Sequence, residues 1–198
     1  FDTIYHEHFS YLSLHTVISI FEKEGLRVFD VDVLPTHGGS IRIYGCHKED
    51  ERETENAVSL LLLEEKKKHM LSLDVYKNFQ IRADRVKNDL LKFLVDQYIN
   101  GKKVIAYGAP AKGNTLLNFC GIGKELINYT VDISPHKQEL YLPGTHIPIY
   151  HPDKLLETKP DFLIILPWNL KNEIVNDTNF IRNWGGKFVT FIPEVSIF

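Results

Sequence analysis

The stretch from Lys103 to Thr115 constrains this chain more than any other. Val104, Ile105 and Ala106 form a short apolar run, the pattern of a strand buried in a parallel sheet. The run breaks at Gly108, a loop of small residues carries Lys112 and Gly113, and a helical pattern begins at Thr115. A strand, a glycine-bearing turn and a helix N-terminus bring backbone N–H groups and the positive end of a helix dipole to one point, which suits phosphate or another anion. The spacing from Gly108 to Gly113 is Gly-x-x-x-x-Gly, without the Lys-Ser/Thr pair of a P-loop and without a complete Gly-x-Gly-x-x-Gly. Two readings stay open on these residues alone: a ligand loop and a plain strand-to-helix turn.

Beyond that loop the pattern keeps alternating. Ile127–Val131 reads as a strand ending at Asp132, Asp161–Leu166 as a fully buried strand, and Lys187–Ile192 as the last. Pro152–Leu156 reads as a brief helix, and Asn169 as the cap of a helix running to about Asn183. Alternating strands and helices give an α/β fold with a doubly wound, mostly parallel sheet. Ligands of such sheets sit beyond the carboxyl ends of the strands, where Gly108–Asn114, Asp132 and Asn169 fall. Asp132 has two readings, a ribose grip and a turn cap with Ser134-Pro135.

Upstream, Ser13 can cap a helix from Leu14 to Glu24, and Arg27–Val33 and Ser40–Cys46 read as neighbouring antiparallel strands. Residues 47–100 read as a charged helical connector, with Lys66-Lys67-Lys68 as a solvated face behind acidic residues. A net charge of −3 gives no reason to expect a nucleic-acid partner. The apolar run Val58–Leu63 is too short to span a bilayer, so no membrane role is expected. Cys46 and Cys120 lie far apart without metal-ligand spacing, which fits a reduced, cytoplasmic setting and no metal site. The chain opens on Phe1 in an aromatic-rich segment, and reads as a piece of a longer protein.

That opening segment carries Tyr5, His6, Glu7 and His8 in succession. In an extended loop Tyr5 and Glu7 would share one face and His6 and His8 the other. Imidazole next to a carboxylate is the material of a general base, although a packed structural cluster has the same composition. His6-x-His8 alone is too few ligands for zinc. His37, in the glycine loop between the two upstream strands, is a further candidate where a backbone can approach a ligand.

Several segments, in order along nearly the whole chain, resemble one family, the sugar C-methyltransferases that use S-adenosylmethionine on nucleotide-linked keto-sugars. They are Tyr5-His6-Glu7-His8-Phe9-Ser10-Tyr11-Leu12-Ser13, His37-Gly38-Gly39-Ser40-Ile41-Arg42, Tyr107-Gly108-Ala109-Pro110-Ala111-Lys112-Gly113-Asn114-Thr115, Tyr141-Leu142-Pro143-Gly144-Thr145-His146-Ile147-Pro148 and Leu166-Pro167-Trp168-Asn169. The resemblance implies that residues 1–46 are the tail of a class I methyltransferase core and 101–198 a Rossmann-like C-terminal domain. It implies that S-adenosylmethionine and a zinc ion belong to an N-terminal part not in this chain, so that the fragment alone is inactive. It further implies that His8 takes a proton beside a ketone, with Glu7 orienting it or touching the sugar and Tyr5 as acid or oxyanion donor. His6 and His37 are second choices as base. A nucleotide-diphosphate sugar would be held through Gly108, Ala109, Lys112, Gly113, Asn114 and Thr115, with His37 and Asn169 as further contacts. The alternative is a Rossmann-like module that binds a nucleotide sugar or dinucleotide and does no chemistry.

Overall fold

The computed structural model describes residues 1–198, which divide into two compact units, Phe9–Gln80 and Phe1–His8 with Ile81–Phe198. The segment Phe1–His8 groups with the C-terminal unit, where Phe1 packs against the core of the sheet.

In Phe9–Gln80, helix α1 (Leu14–Lys23) is capped by the Ser13 hydroxyl, which accepts from the Thr16 N–H at 3.2 Å. Its apolar stripe of Leu14, Val17, Ile18 and Phe21 packs against Val28, Val31 and Val58. Strands β1 (Leu26–Leu34) and β2 (Ser40–His47) pair antiparallel, as their short connection requires, with a bulge between Val28 and Asp30. Helix α2 (Asn56–Lys67) and the single turn α3 (Leu73–Lys77) complete the unit. Glu65 on α2 is only 6% exposed, because its carboxylate accepts from the N–H groups of Leu14 at 2.6 Å and His15 at 3.0 Å. A negative charge at the positive end of α1 satisfies two donors that the helix itself leaves orphaned.

The second unit is built on a six-stranded sheet in the order β5-β4-β3-β6-β7-β8, where β3 is Val104–Tyr107, β4 Thr130–Val131, β5 Ile149–Tyr150, β6 Phe162–Ile165, β7 Lys187–Thr190 and β8 Ser196–Ile197. All neighbours are parallel except β7 and β8. Along β3, Val104 and Ala106 enter one core with Leu90, Phe93 and Leu94 of helix α4 (Phe79–Ile99). Ile105 and Tyr107 enter another with Leu163, Ile165 and Phe188. Successive side chains of one strand thus fill two cores, which is the doubly wound arrangement read from the sequence.

Local boundaries differ in instructive ways. Helix α5 (Ala111–Cys120) starts four positions before the expected Thr115, since Pro110 has an extended backbone suited to a helix entry and Gly113 is helical. Gly113 is required there by close approach: a Cβ would lie 2.8 Å from the Leu166 Cβ on the neighbouring strand end. Gly108 has φ +92°, and a Cβ on it would lie 2.6 Å from Pro167 Cδ. After the brief helix α6 (Lys154–Thr158), the helix expected from Asn169 to Asn183 is a 3-10 turn (Trp168–Leu170), helix α7 (Lys171–Asp177) and a second 3-10 segment (Asn179–Trp184). The buried Thr178 ends α7 by turning its hydroxyl back to the Ile174 carbonyl. No helix is long and apolar enough to cross a membrane.

Two outcomes follow from this packing. Glu65→Ala leaves two N–H groups of α1 without their acceptor and lowers stability by roughly 2–3 kcal/mol, read as a lower urea midpoint, with Glu65→Gln intermediate. Burial pushes the Cys120 thiol up to about 11 while Cys46 is half-buried. At about pH 8 an aromatic disulfide reagent therefore labels Cys46 in the native chain and Cys120 only after denaturant is added.

Candidate functional site

The opening segment turns rather than extends. Backbone bonds from the Ile4 N–H to the Phe1 carbonyl (3.0 Å) and from His8 to Tyr5 (2.9 Å) fold it into successive turns. The spacing that faces across a turn is i to i+3, so Tyr5 and His8 meet, with ring centroids 4.2 Å apart, in place of the alternating faces expected of an extended loop. Glu7 lies 3.9 Å from the exposed His6 Nε2.

His8 is half-buried, and its Nδ1 donates to the Thr3 carbonyl at 2.9 Å. A carbonyl only accepts, so in the neutral ring Nδ1 carries the proton and Nε2 the basic lone pair. The Thr3 carbonyl thus sets the tautomer, and Glu7 lies against His6.

The same segment is anchored to the loops beyond β3 and β6. Asp2, 4% exposed, accepts from the Trp168 indole N–H at 2.7 Å. The Lys112 ammonium lies 4.9 Å from the centre of the Trp168 ring and donates to Asn169 Oδ1. Phe1 packs on Phe119 of α5 at 5.1 Å, and the Thr115 hydroxyl reaches the Ile4 carbonyl at 3.5 Å. Lys112 is 6% exposed, and burial pushes its ammonium down from the ordinary lysine value against the attraction of Asp2. Asn169 therefore serves Lys112 and caps no helix. Sequence reasoning singled out Lys112 and Asn169 but missed Asp2 and Trp168. The only available signal was Trp168 beside Asn169 in the strand-end segment.

The glycine loop is less open than its sequence suggests. The Gly108 N–H donates to the Val131 carbonyl at 2.6 Å, and the Ala109 N–H to Asp132 Oδ2 at 2.7 Å. Asn114 N–H is spent on the Pro110 carbonyl at 3.0 Å, and the Asn114 side chain accepts from Asn118 at 3.2 Å. Among the loop and first-turn amides, those of Ala111, Lys112 and Gly113 have no acceptor within the chain. They are the donors an anion would meet at the start of α5. Asp132 is a turn cap: Oδ1 accepts from the Ser134 N–H at 2.8 Å, and Lys137 Nζ lies 3.4 Å from Oδ2. His37 lies in the other unit, exposed in the turn between β1 and β2 with a left-handed backbone, φ 54°. No group of three or more His, Cys, Asp or Glu side chains is placed to hold a metal ion.

With this geometry in hand, the comparisons are specific. The family described as the C-methyltransferase C-terminal domain matches residues 35–193. The chain is 40% identical over 195 residues to C-methyltransferase NovU of Streptomyces niveus, a match that covers 98% of this chain and 46% of that relative. It thus spans about half the length of the curated relative it matches. A match to most of the residues, together with identity at this level, shows that the chain belongs to the C-methyltransferase C-terminal domain family.

Proposed function

We propose that this chain is part of an S-adenosylmethionine-dependent C-methyltransferase acting on a nucleotide-linked keto-sugar, and that it supplies the base and part of the anion grip. The observation that carries this reading is the His8 Nδ1 bond to Thr3, which leaves Nε2 as the proton acceptor.

A carbon beside a ketone is acidic because its conjugate base is an enolate. His8 Nε2 takes that proton, and the Tyr5 hydroxyl, on the ring against His8, is the donor for the developing enolate oxygen. Glu7, exposed and turned to His6, contacts the sugar and leaves the imidazole to Thr3. The free amides of Ala111–Gly113 and the Lys112 ammonium attract the diphosphate, and Asn169 and Trp168 hold that ammonium in place.

The carboxylate at the end of β4, where a dinucleotide fold grips a ribose, is committed to the chain: Asp132 is buried, holds a backbone N–H on each oxygen and has Lys137 beside Oδ2. The reading therefore assigns S-adenosylmethionine to a part of the parent enzyme outside this chain and expects residues 1–198 alone to be inactive. The same engaged carboxylate argues against the alternative of a dinucleotide-binding module.

In the full-length enzyme, His8→Ala lowers kcat by about 10²–10⁴ and abolishes exchange of the substrate's acidic C–H with deuterated solvent, while donor affinity is unchanged. Exchange at the normal rate in that variant would remove His8 from the role. Lys112→Met raises KM for the nucleotide sugar by roughly 10- to 100-fold with a smaller change in kcat, as the loss of a charge-assisted contact made before the chemistry.

A further inference from the structure

A crevice of about 310 Å³ opens beyond the carboxyl ends of β3, β4 and β6, and Lys112 is not among its lining residues. The strand order places it at a topological switch point, since the chain leaves β3 toward β4 on one side and returns to β6 on the other. Open α/β sheets take ligands at that point. Its walls are apolar at Pro110, Pro167, Leu170 and Ile174.

Tyr107 marks the crevice as a site independently of its shape. It is 5% exposed and lines the cavity, yet its hydroxyl has no hydrogen-bond partner in the chain. No fully enclosed side-chain polar atom is left unsatisfied in this protein, so the hydroxyl opens into the cavity it lines. A phenol whose ring is buried and whose hydroxyl opens into the cavity offers one donor and one acceptor to whatever fills it. Burial, then Asp177, Asp132 and Glu173, push it above the ordinary tyrosine value, which keeps it a neutral hydroxyl.

The charges of the crevice select the occupant. Three carboxylates, Asp132, Glu173 and Asp177, face one ammonium, Lys137, which is itself spent on the Ala109 carbonyl at 3.1 Å and on Asp132. Glu173 and Asp177 are four residues apart on α7 and so share a face. A phosphate or diphosphate would be repelled. A ribose would compete at Asp132 with two backbone N–H groups and Lys137. A bare metal ion would find no cluster of ligands. What the crevice lacks is a cationic N–H donor on an apolar body.

We propose that this crevice binds a small organic ammonium, with its N–H donors on the Glu173 and Asp177 carboxylates and the Tyr107 hydroxyl and its apolar part against Pro110, Pro167 and Ile174. The site is separate from the anion grip at Lys112 and does not rest on the methyl-transfer reading.

Titration calorimetry of the full-length protein with tyramine tests it, with thymidine and inorganic pyrophosphate as comparison probes. Tyramine binds, and its affinity falls roughly tenfold in Tyr107→Phe, as expected for one hydrogen bond to a charged group. The exposed pair Glu173→Gln/Asp177→Asn lowers it further, whatever Tyr107→Phe does to folding, and Lys112→Met leaves it unchanged. Absence of tyramine binding at millimolar concentration, or equal binding by the Glu173/Asp177 variant, overturns the proposal. So does thymidine or pyrophosphate binding that is lost with Tyr107→Phe.

Discussion

The arrangement of the C-terminal sheet depends on one carboxylate. Asp132 stands at the end of β4 and takes the Ala109 N–H on one oxygen and the Ser134 N–H on the other. It ties the loop after β3 to the loop after β4 across the edge where the two strands stop pairing. Thr130 adds a hydroxyl bond to the Gly108 carbonyl at 2.8 Å, and Lys137 clamps the Ala109 carbonyl. The loop is therefore held from both strands. Gly108, at a left-handed φ with Pro167 pressed against it, has no room to relax. In a dinucleotide fold the comparable carboxylate faces a ribose. Here it holds the chain itself, with a backbone N–H on each oxygen.

A second tether does for the opening segment what Asp132 does for the loop. The Asp2–Trp168 bond, the Phe1–Phe119 contact and the Thr115 bond to Ile4 fix a stretch that has no regular secondary structure of its own. Held at that end, the turns place Tyr5 against His8 and fix the imidazole tautomer through Thr3. A histidine in a free loop would sample both tautomers and many rotamers. One whose ring is bonded to a backbone five residues earlier is held in one tautomer and one orientation.

Much of this was legible in the sequence, and the failures have physical causes. The doubly wound sheet followed from apolar runs between loops, because a strand buried on two faces has no polar positions to hide it. The antiparallel β1–β2 pair followed from the shortness of its connection. The start of α5 was misplaced because Gly113 looks like loop; only the packing against Leu166 shows why a glycine belongs inside that helix. The break after Asp177 was invisible because it rests on a buried threonine bonding backward. Asp2 and Trp168 are 166 residues apart, and no local pattern announces such a bond. The choice between ribose grip and turn cap at Asp132 needed the positions of two backbone N–H groups, which spacing does not give.

One loop thus separates two electrostatic environments. On the α5 side, the first-turn amides of a ten-residue helix and a buried ammonium create positive potential. In the crevice, Glu173 and Asp177 create negative potential, and the Asp132 charge is absorbed by amides and Lys137. Burial pushes the Lys112 ammonium down from the ordinary lysine value and Asp2 works the other way, while Asn169 accepts its N–H and the Trp168 face attracts it. Both partners of Trp168 come from elsewhere: Lys112 from the helix after β3, Asp2 from the opening segment. The indole therefore joins the opening segment to the start of α5, holding Asp2 by its N–H and Lys112 by its ring face, so that a ring without the N–H would keep the second contact and lose the first.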